Sequence, residues 1–274
     1  MKIRYSFYFV VLCFLFPFPQ VAFADDAQSL LEEARGQYKS GHWDQAVSSF
    51  EKAYKAADEG SVGKAEAALE WGSLLWEQGD YGQAEARVKD ALERARALKL
   101  DHAIGQLLLT LGHIEASQGR LREAESTLTI CVRMAGEEQD RTYQALCRLN
   151  RRHVRTLRGQ PPGSEAEFRA DIAALEQAGT PLSVGTSLAK TAELFQTTGD
   201  LGRAMELLER ADKHFAGAGS VPAIARNKLR IAQLMQEQGR WSDARGQLDG
   251  LVGQFEVMGS RPLLVNALGS TARD

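Results

Sequence analysis

The side chains in this sequence that could do chemistry are few and scattered. The five histidines, His42, His102, His113, His153 and His214, never stand three or four residues apart, so no helix presents a metal-binding pair. His113 and His153 occupy matching places, each six residues before a glycine. They read either as a metal or pH-sensing pair or as two polar residues lining one surface. There is no His-Glu-x-x-His, Gly-rich phosphate loop, Gly-x-Ser-x-Gly or Cys-x-x-Cys. No catalytic grouping, cofactor or metal site is therefore expected. Arg148, Arg151, Arg152, Arg155 and Arg158 crowd one predicted helix. Charges four apart repel unless paired. Either Glu137, Glu138, Glu165 and Glu167 neutralise them, or they form a site for an anion or acidic peptide. Cys131 and Cys147 sit at matched distances from a predicted turn near residues 137–140. On antiparallel helices they read as a disulfide or as two buried thiols. A bridge across that separation would stabilise by about 3 kcal/mol.

The elements that hold these residues begin after a distinct N-terminus. Lys2 and Arg4 precede an apolar run from Phe7 to Phe18, and Ala22-Phe23-Ala24 precedes Asp25. This pattern predicts a signal peptide over residues 1–24, with an uncleaved anchor as the other reading. Pro17 and Pro19 cut the run short of the ~20 residues that span a bilayer. The expectation is an exported chain, periplasmic if the source has two membranes. Loss of Lys2 and Arg4 takes the formal net charge from −3 to −5. A mildly acidic chain without a basic tail argues against nucleic acid as a partner.

From residue 25 the sequence repeats. Glycines stand at 41, 79, 119, 159, 199 and 239. Five of them open the pattern Gly-x-(Trp/Tyr/Leu)-x-x-Ala, as in Gly79-Asp80-Tyr81-Gly82-Gln83-Ala84. A period of 20–50 residues marks a stacked repeat architecture. Apolar residues at helical spacing, such as Leu107, Leu108, Leu111 and Ile114, precede each glycine, which is suited to end that helix in a left-handed conformation. A large residue four after the alanine fills the layer: Phe50, Val88, Leu128, Leu208 and Leu248. Gly179-Thr180-Pro181, Gly219-Ser220-Val221-Pro222 and Gly259-Ser260-Arg261-Pro262 supply a stop, a capping hydroxyl and a first-turn proline. Each repeat is thus a hairpin of two helices of about 17 residues, or ~25 Å. The fourth departs: Gly159-Gln160-Pro161-Pro162-Gly163-Ser164 lacks both the bulky residue and the alanine. Its second helix must start late, behind a Ser164-x-x-Glu167 capping box, and 159–164 is a candidate irregular junction.

The Trp71-Gly72 and Leu111-Gly112 pairs, with the Gly-x-(Trp/Tyr/Leu)-x-x-Ala run, resemble the tetratricopeptide repeat family. The period is about 40 rather than the common 34 residues, similar to the long variant of kinesin light chains and some bacterial regulators. The resemblance implies an all-α fold over residues 25–274: an α-solenoid of six hairpins plus a C-terminal capping helix carrying Leu263, Leu264, Val265 and Leu268. It also implies that first helices line a concave groove. Arg35, Tyr38, Trp76, His113, His153, Glu193, Gln196 and Gln233 would then face inward, with Trp76 as an aromatic anchor. Joined to Arg148, Arg151, Arg152 and Arg155, they form the candidate binding set. The function implied is a non-enzymatic scaffold holding a protein or peptide, acidic if the arginines receive it. The alternative is an envelope assembly subunit that self-associates through its terminal helices.

Overall fold

The computed structural model describes residues 25–161 and 163–271; the N-terminal segment with its expected processing site lies outside the described residues. Among the described residues there are fourteen α-helices and no strand. They form six antiparallel hairpins. These are α1 (Asp25–Lys39) with α2 (Trp43–Ala56), α3 (Val62–Gln78) with α4 (Tyr81–Ala97), and α5 (Asp101–Ser117) with α6 (Leu121–Glu137). Next come α7 (Arg141–Leu157) with α8 (Glu165–Ala178), and α9 (Pro181–Thr197) with α10 (Leu201–Ala218). The sixth pairs α11 (Val221–Glu237) with α12 (Trp241–Leu248) and α13 (Leu251–Met258), and α14 (Arg261–Thr271) ends the array. The break between α12 and α13 was not expected. Gly246, Gly250 and Gly253 cluster there, and each weakens a helix by about 1 kcal/mol relative to alanine.

The repeat positions act as their residue types dictate. All six repeat glycines have φ between +76° and +88°, a region that costs other residues roughly 1–2 kcal/mol. Ala46, Ala84, Ala124, Ala204 and Ala244 are buried without exposure, and Phe50, Val88 and Leu128 fill the layer beside them. Gly112 lets α5 and α6 touch: a Cβ there would lie 2.7 Å from Leu128 Cγ. The bulky residue after the glycine varies more than its type suggests. Trp43 is buried against Tyr38, with ring centroids 5.5 Å apart, whereas Trp241 in the last hairpin is 47% exposed.

In the fourth repeat, Ser164 and Glu167 complete the capping box, and α8 has 14 residues. Thr180 caps α9 as expected. The other two hydroxyls do not cap: Ser220 makes no side-chain cap bond, and Ser260 donates instead to the carbonyl of Glu77, 3.0 Å away.

That last bond belongs to a larger departure. The hairpins do not describe an open arc; the array bends until its end meets its beginning. Helix α13 packs on α2, and α14 on α3. Pro262 sits over Gly79, where a Cβ would be 2.8 Å from Pro262 Cγ. Arg226 of α11 pairs with Glu77 of α3 at 2.6 Å, across 149 residues of sequence. The terminal helix therefore caps the sixth repeat and also closes a ring. Ala267 and Ser270 are buried, while Val265 and Leu268 remain exposed.

Candidate binding site

Ring closure turns the expected groove into a central cavity of about 240 Å³. Its wall comes mainly from the first helices of successive hairpins and the start of α14, among them Trp76, His113, Tyr143, Lys190, Arg226, Arg230 and Leu263, with Tyr81 of α4 and Phe215 of α10. One side is aromatic and apolar. Trp76 stacks on His113 with centroids 5.4 Å apart, and its indole N–H donates to Ser117 Oγ at 2.8 Å. Asn150 donates from Nδ2 to Leu146 O, so its Oδ1 faces His113 Nε2 at 2.6 Å and assigns the proton to that nitrogen. Burial, with Lys190 nearby, holds His113 down at about 4, so it is neutral at pH 7.

The opposite side is charged. Glu193 stands behind the wall and meets Lys190 at 3.2 Å, His153 at 3.3 Å, and Arg230. Burial alone would raise its carboxyl, but Arg230, Lys190 and His153 outweigh that and hold it at about 2. Burial lowers the Lys190 ammonium in spite of Glu193, and burial with Lys190 nearby brings His153 down to about 4. At the ring seam, Glu77 accepts from Tyr38 Oη at 2.8 Å and from Arg226 Nη1 at 2.6 Å. Arg226 Nη2 is buried with no hydrogen-bond partner among the described residues. The wall thus carries three cations, Lys190, Arg226 and Arg230, beside one carboxylate, Glu77, with Glu193 behind.

Residues 64–136 match the tetratricopeptide repeat family model. A Rap protein complexed with competence and sporulation factor superposes with a TM-score of 0.64 at 14% identity, over 93% of this chain and 75% of that one. Aspartyl phosphate phosphatase F from Bacillus subtilis gives 0.62 at 12% identity, over 85% and 61%. The Rap conjugation gene regulator of plasmid pLS20, in complex with a Phr peptide, gives 0.59 at 14%, over 90% and 74%. No curated protein matches in sequence. The chain carries tetratricopeptide repeats.

In this tetratricopeptide-repeat ring the candidate residues divide. Trp76 and His113 line the cavity. His153 and Glu193 lie behind it, bonded to each other. Tyr38 is not on a groove wall: it is fully buried, because its hydroxyl serves the seam carboxylate. Arg35 is drawn instead to Glu66 and Glu70, each at 2.5 Å. Gln196 bonds Glu237 at 2.6 Å on an exposed edge, and Gln233 bonds Ser270 of α14 at 3.3 Å.

The arginine cluster is largely a structural clamp. Arg148 meets Asp171 at 2.5 Å. Arg152 lies between Asp171 and Glu167, at 3.4 and 3.5 Å, over the Phe168 ring. Arg155 reaches Glu125 at 3.8 Å and donates to Gln160, and Arg158 also pairs with Glu125. The neutralising residues are mainly Asp171 and Glu125, which the sequence reading did not name. Glu137 pairs with Arg133, and the Glu165 side chain lies outside the described residues. Arg151 differs: its Nε is buried without a partner among the described residues, and burial with Arg155, Arg152 and Arg148 lowers its guanidinium. Cys131 and Cys147 form a disulfide, Cα atoms 5.8 Å apart, joining α6 to α7 beside the cavity-wall residue Tyr143.

Several wall residues escaped the sequence reading, but a signal for them existed. Asn150, Lys190 and Arg230 each stand nine residues before a repeat glycine; Gln106, Thr186 and Arg226 each stand thirteen before one. These positions mark the cavity wall more consistently than the one occupied by His113, His153 and Glu193, of which only His113 lines it.

Proposed function

We propose that the protein is a non-catalytic binding scaffold that receives a short segment of a peptide or protein in its central cavity. The observation that carries this reading is the convergence of aromatic, amide and cationic side chains from successive first helices on one cavity of about 240 Å³. Among the described residues that line it, no nucleophile–base pair accompanies them. Similar folds in a Rap protein complexed with competence and sporulation factor and in a Rap regulator complexed with a Phr peptide support the reading. We further propose that the chain acts after export. The N-terminal charge and apolar pattern supports this, as does a disulfide of the kind that persists in oxidising compartments. Fractionation with mass measurement of the mature chain tests it; a cytosolic protein that keeps residue 2 sinks it.

The cavity reading is tested by peptide-library selection on the protein and on Thr186→Trp, which fills the wall. Peptides retained by the first and lost by the second support it. Equal retention by a folded variant overturns it.

A further inference from the structure

We propose that the outward face of α7 holds a phosphate monoester between Arg151 and Arg155, beside the late start of α8. None of the five clustered arginines of α7 lines the central cavity, so this site stands whether or not the cavity receives a peptide.

Three observations carry it. The first is register. Arg151 stands eight residues before Gly159, and the matching residues of the second, third, fifth and sixth repeats are Trp71, Leu111, Thr191 and Ile231, all buried. Trp71 shows what that position faces: it lies against Tyr54 of α2 and Arg87 of α4, two consecutive second helices. For Arg151 the corresponding helices are α6 and α8. Helices α2, α4, α6, α10 and α12 each begin two residues after their glycine, whereas α8 begins six after Gly159. Helix α8 thus lacks the turn that covers this position elsewhere, and Arg151 is only half-buried.

The second is charge. Arg148, Arg151, Arg155 and Arg158 follow one another three or four residues apart, a single stripe along α7. Among the described residues, the carboxylates that meet this stripe and Arg152 are Glu125, Glu167 and Asp171. Five guanidiniums against three carboxylates leave two positive charges. A phosphate monoester carries about −1.5 to −2 at pH 7 and cancels both; a carboxylate would cancel one. The third is donors. Burial and the neighbouring Arg155, Arg152 and Arg148 lower the Arg151 guanidinium, and no carboxylate offsets them. Arg155 turns its Nε to Gln160 and Glu125, and its side chain is 40% exposed. The terminal N–H groups of both arginines are left for a ligand, and two planar forks one helical turn apart suit an oxyanion with several acceptor oxygens.

The test has two arms at pH 7: calorimetry with glycerol 3-phosphate, and co-sedimentation with phosphatidylcholine vesicles with and without phosphatidic acid. Arg151→Met keeps the stem and removes the charge. It should weaken phosphate binding by at least about tenfold, the worth of one charge-assisted hydrogen bond. It should also melt no lower than the parent, because it relieves repulsion among like charges. Lys55→Gln, an exposed change on α2, and Thr186→Trp, which fills the cavity, should both leave phosphate binding unchanged. Binding of the soluble ester alone identifies a free phosphate ester as the source, and binding of phosphatidic acid vesicles identifies a lipid headgroup; both uphold the site. Failure of both arms overturns the proposal, as does equal binding by Arg151→Met or by acetate. A marked fall in melting temperature in Arg151→Met overturns it too, since the guanidinium would then have a partner in the fold. Loss of phosphate binding in Thr186→Trp would move the anion into the cavity and also overturn it, whereas loss of peptide capture there bears on the scaffold reading alone.

Discussion

Replacing Glu77 by glutamine should open the ring. The Glu77 side chain is 1% exposed and holds three elements together: Tyr38 of α1 donates to it at 2.8 Å, Arg226 of α11 pairs with it at 2.6 Å, and its backbone carbonyl takes Ser260 at the start of α14. Glutamine preserves the shape but removes the charge, leaving the Arg226 guanidinium buried without a counterion. Breaking one side of a buried pair costs about 3–5 kcal/mol. For a chain of this size each kcal/mol is worth about 2–4 °C, so the loss is roughly 6–20 °C. The hairpins still stack on their sequence neighbours. Part of the loss should therefore appear as a broader transition, with α1–α3 uncoupled from α11–α14. Thermal unfolding by circular dichroism reads the stability, and small-angle scattering reads the opening as a larger radius of gyration. The cycle with Arg226→Met separates pairing from packing: the double variant should be no less stable than Glu77→Gln alone, because the stranded charge is gone. A Glu77→Gln protein that melts within 2 °C of the parent at unchanged radius would refute the closed ring.

Three further outcomes are expected. His113 and His153, held near 4 against an ordinary value of 6.5, stay neutral in the fold while the unfolded chain takes up protons. Stability should thus fall as pH drops from about 6.5 toward 4, by up to about 3 kcal/mol for each residue. Urea titrations at pH 7 and pH 5 measure this, and His153→Gln should reduce the difference. The Cys131–Cys147 bridge, both residues buried, should resist reductant in the native state, and the double serine variant should lose about 3 kcal/mol; equal stability would remove the bridge from the account. Gly82→Ala, with open space around its Cβ, should stabilise by about 0.5–1 kcal/mol. Gly112→Ala, against Leu128, should instead be destabilised or unchanged, and both are read by the same melts.

The helices were legible because their signals are local. Glycines that take positive φ, alanines where backbones approach and a capping box at Ser164 each act within a few residues. The repeat register even placed Trp76 and His113 on the cavity wall. Partner choice was less legible. Arg148 and Arg152 read either as neutralised by nearby glutamates or as an anion site, because Asp171, about 20 positions on, meets them only once α8 has docked on α7. The ring was not legible at all. Glu77 and Arg226 are one carboxylate and one arginine among many, and only the summed rotation of the intervening repeats brings them together.

That rotation has its own basis in side-chain size. The inner face is aromatic on α3, α5 and α7, where Trp76, His113 and Tyr143 stand, whereas on α9 and α11 the small residues Ser183, Ala189 and Ala223 alternate with the long cations Lys190, Arg226 and Arg230. Stacked helices approach as closely as their facing side chains allow. Large side chains on the early first helices hold the walls apart, while the Arg226–Glu77 pair and the packing of α14 on α3 hold the array closed. On this argument cavity and seam are one feature. The residues that keep the centre open face those that hold the array shut, and Arg226 serves both, pairing through Nη1 with the seam carboxylate while its side chain lines the cavity. A ligand held there would touch the closure itself, so occupancy and ring stability should change together.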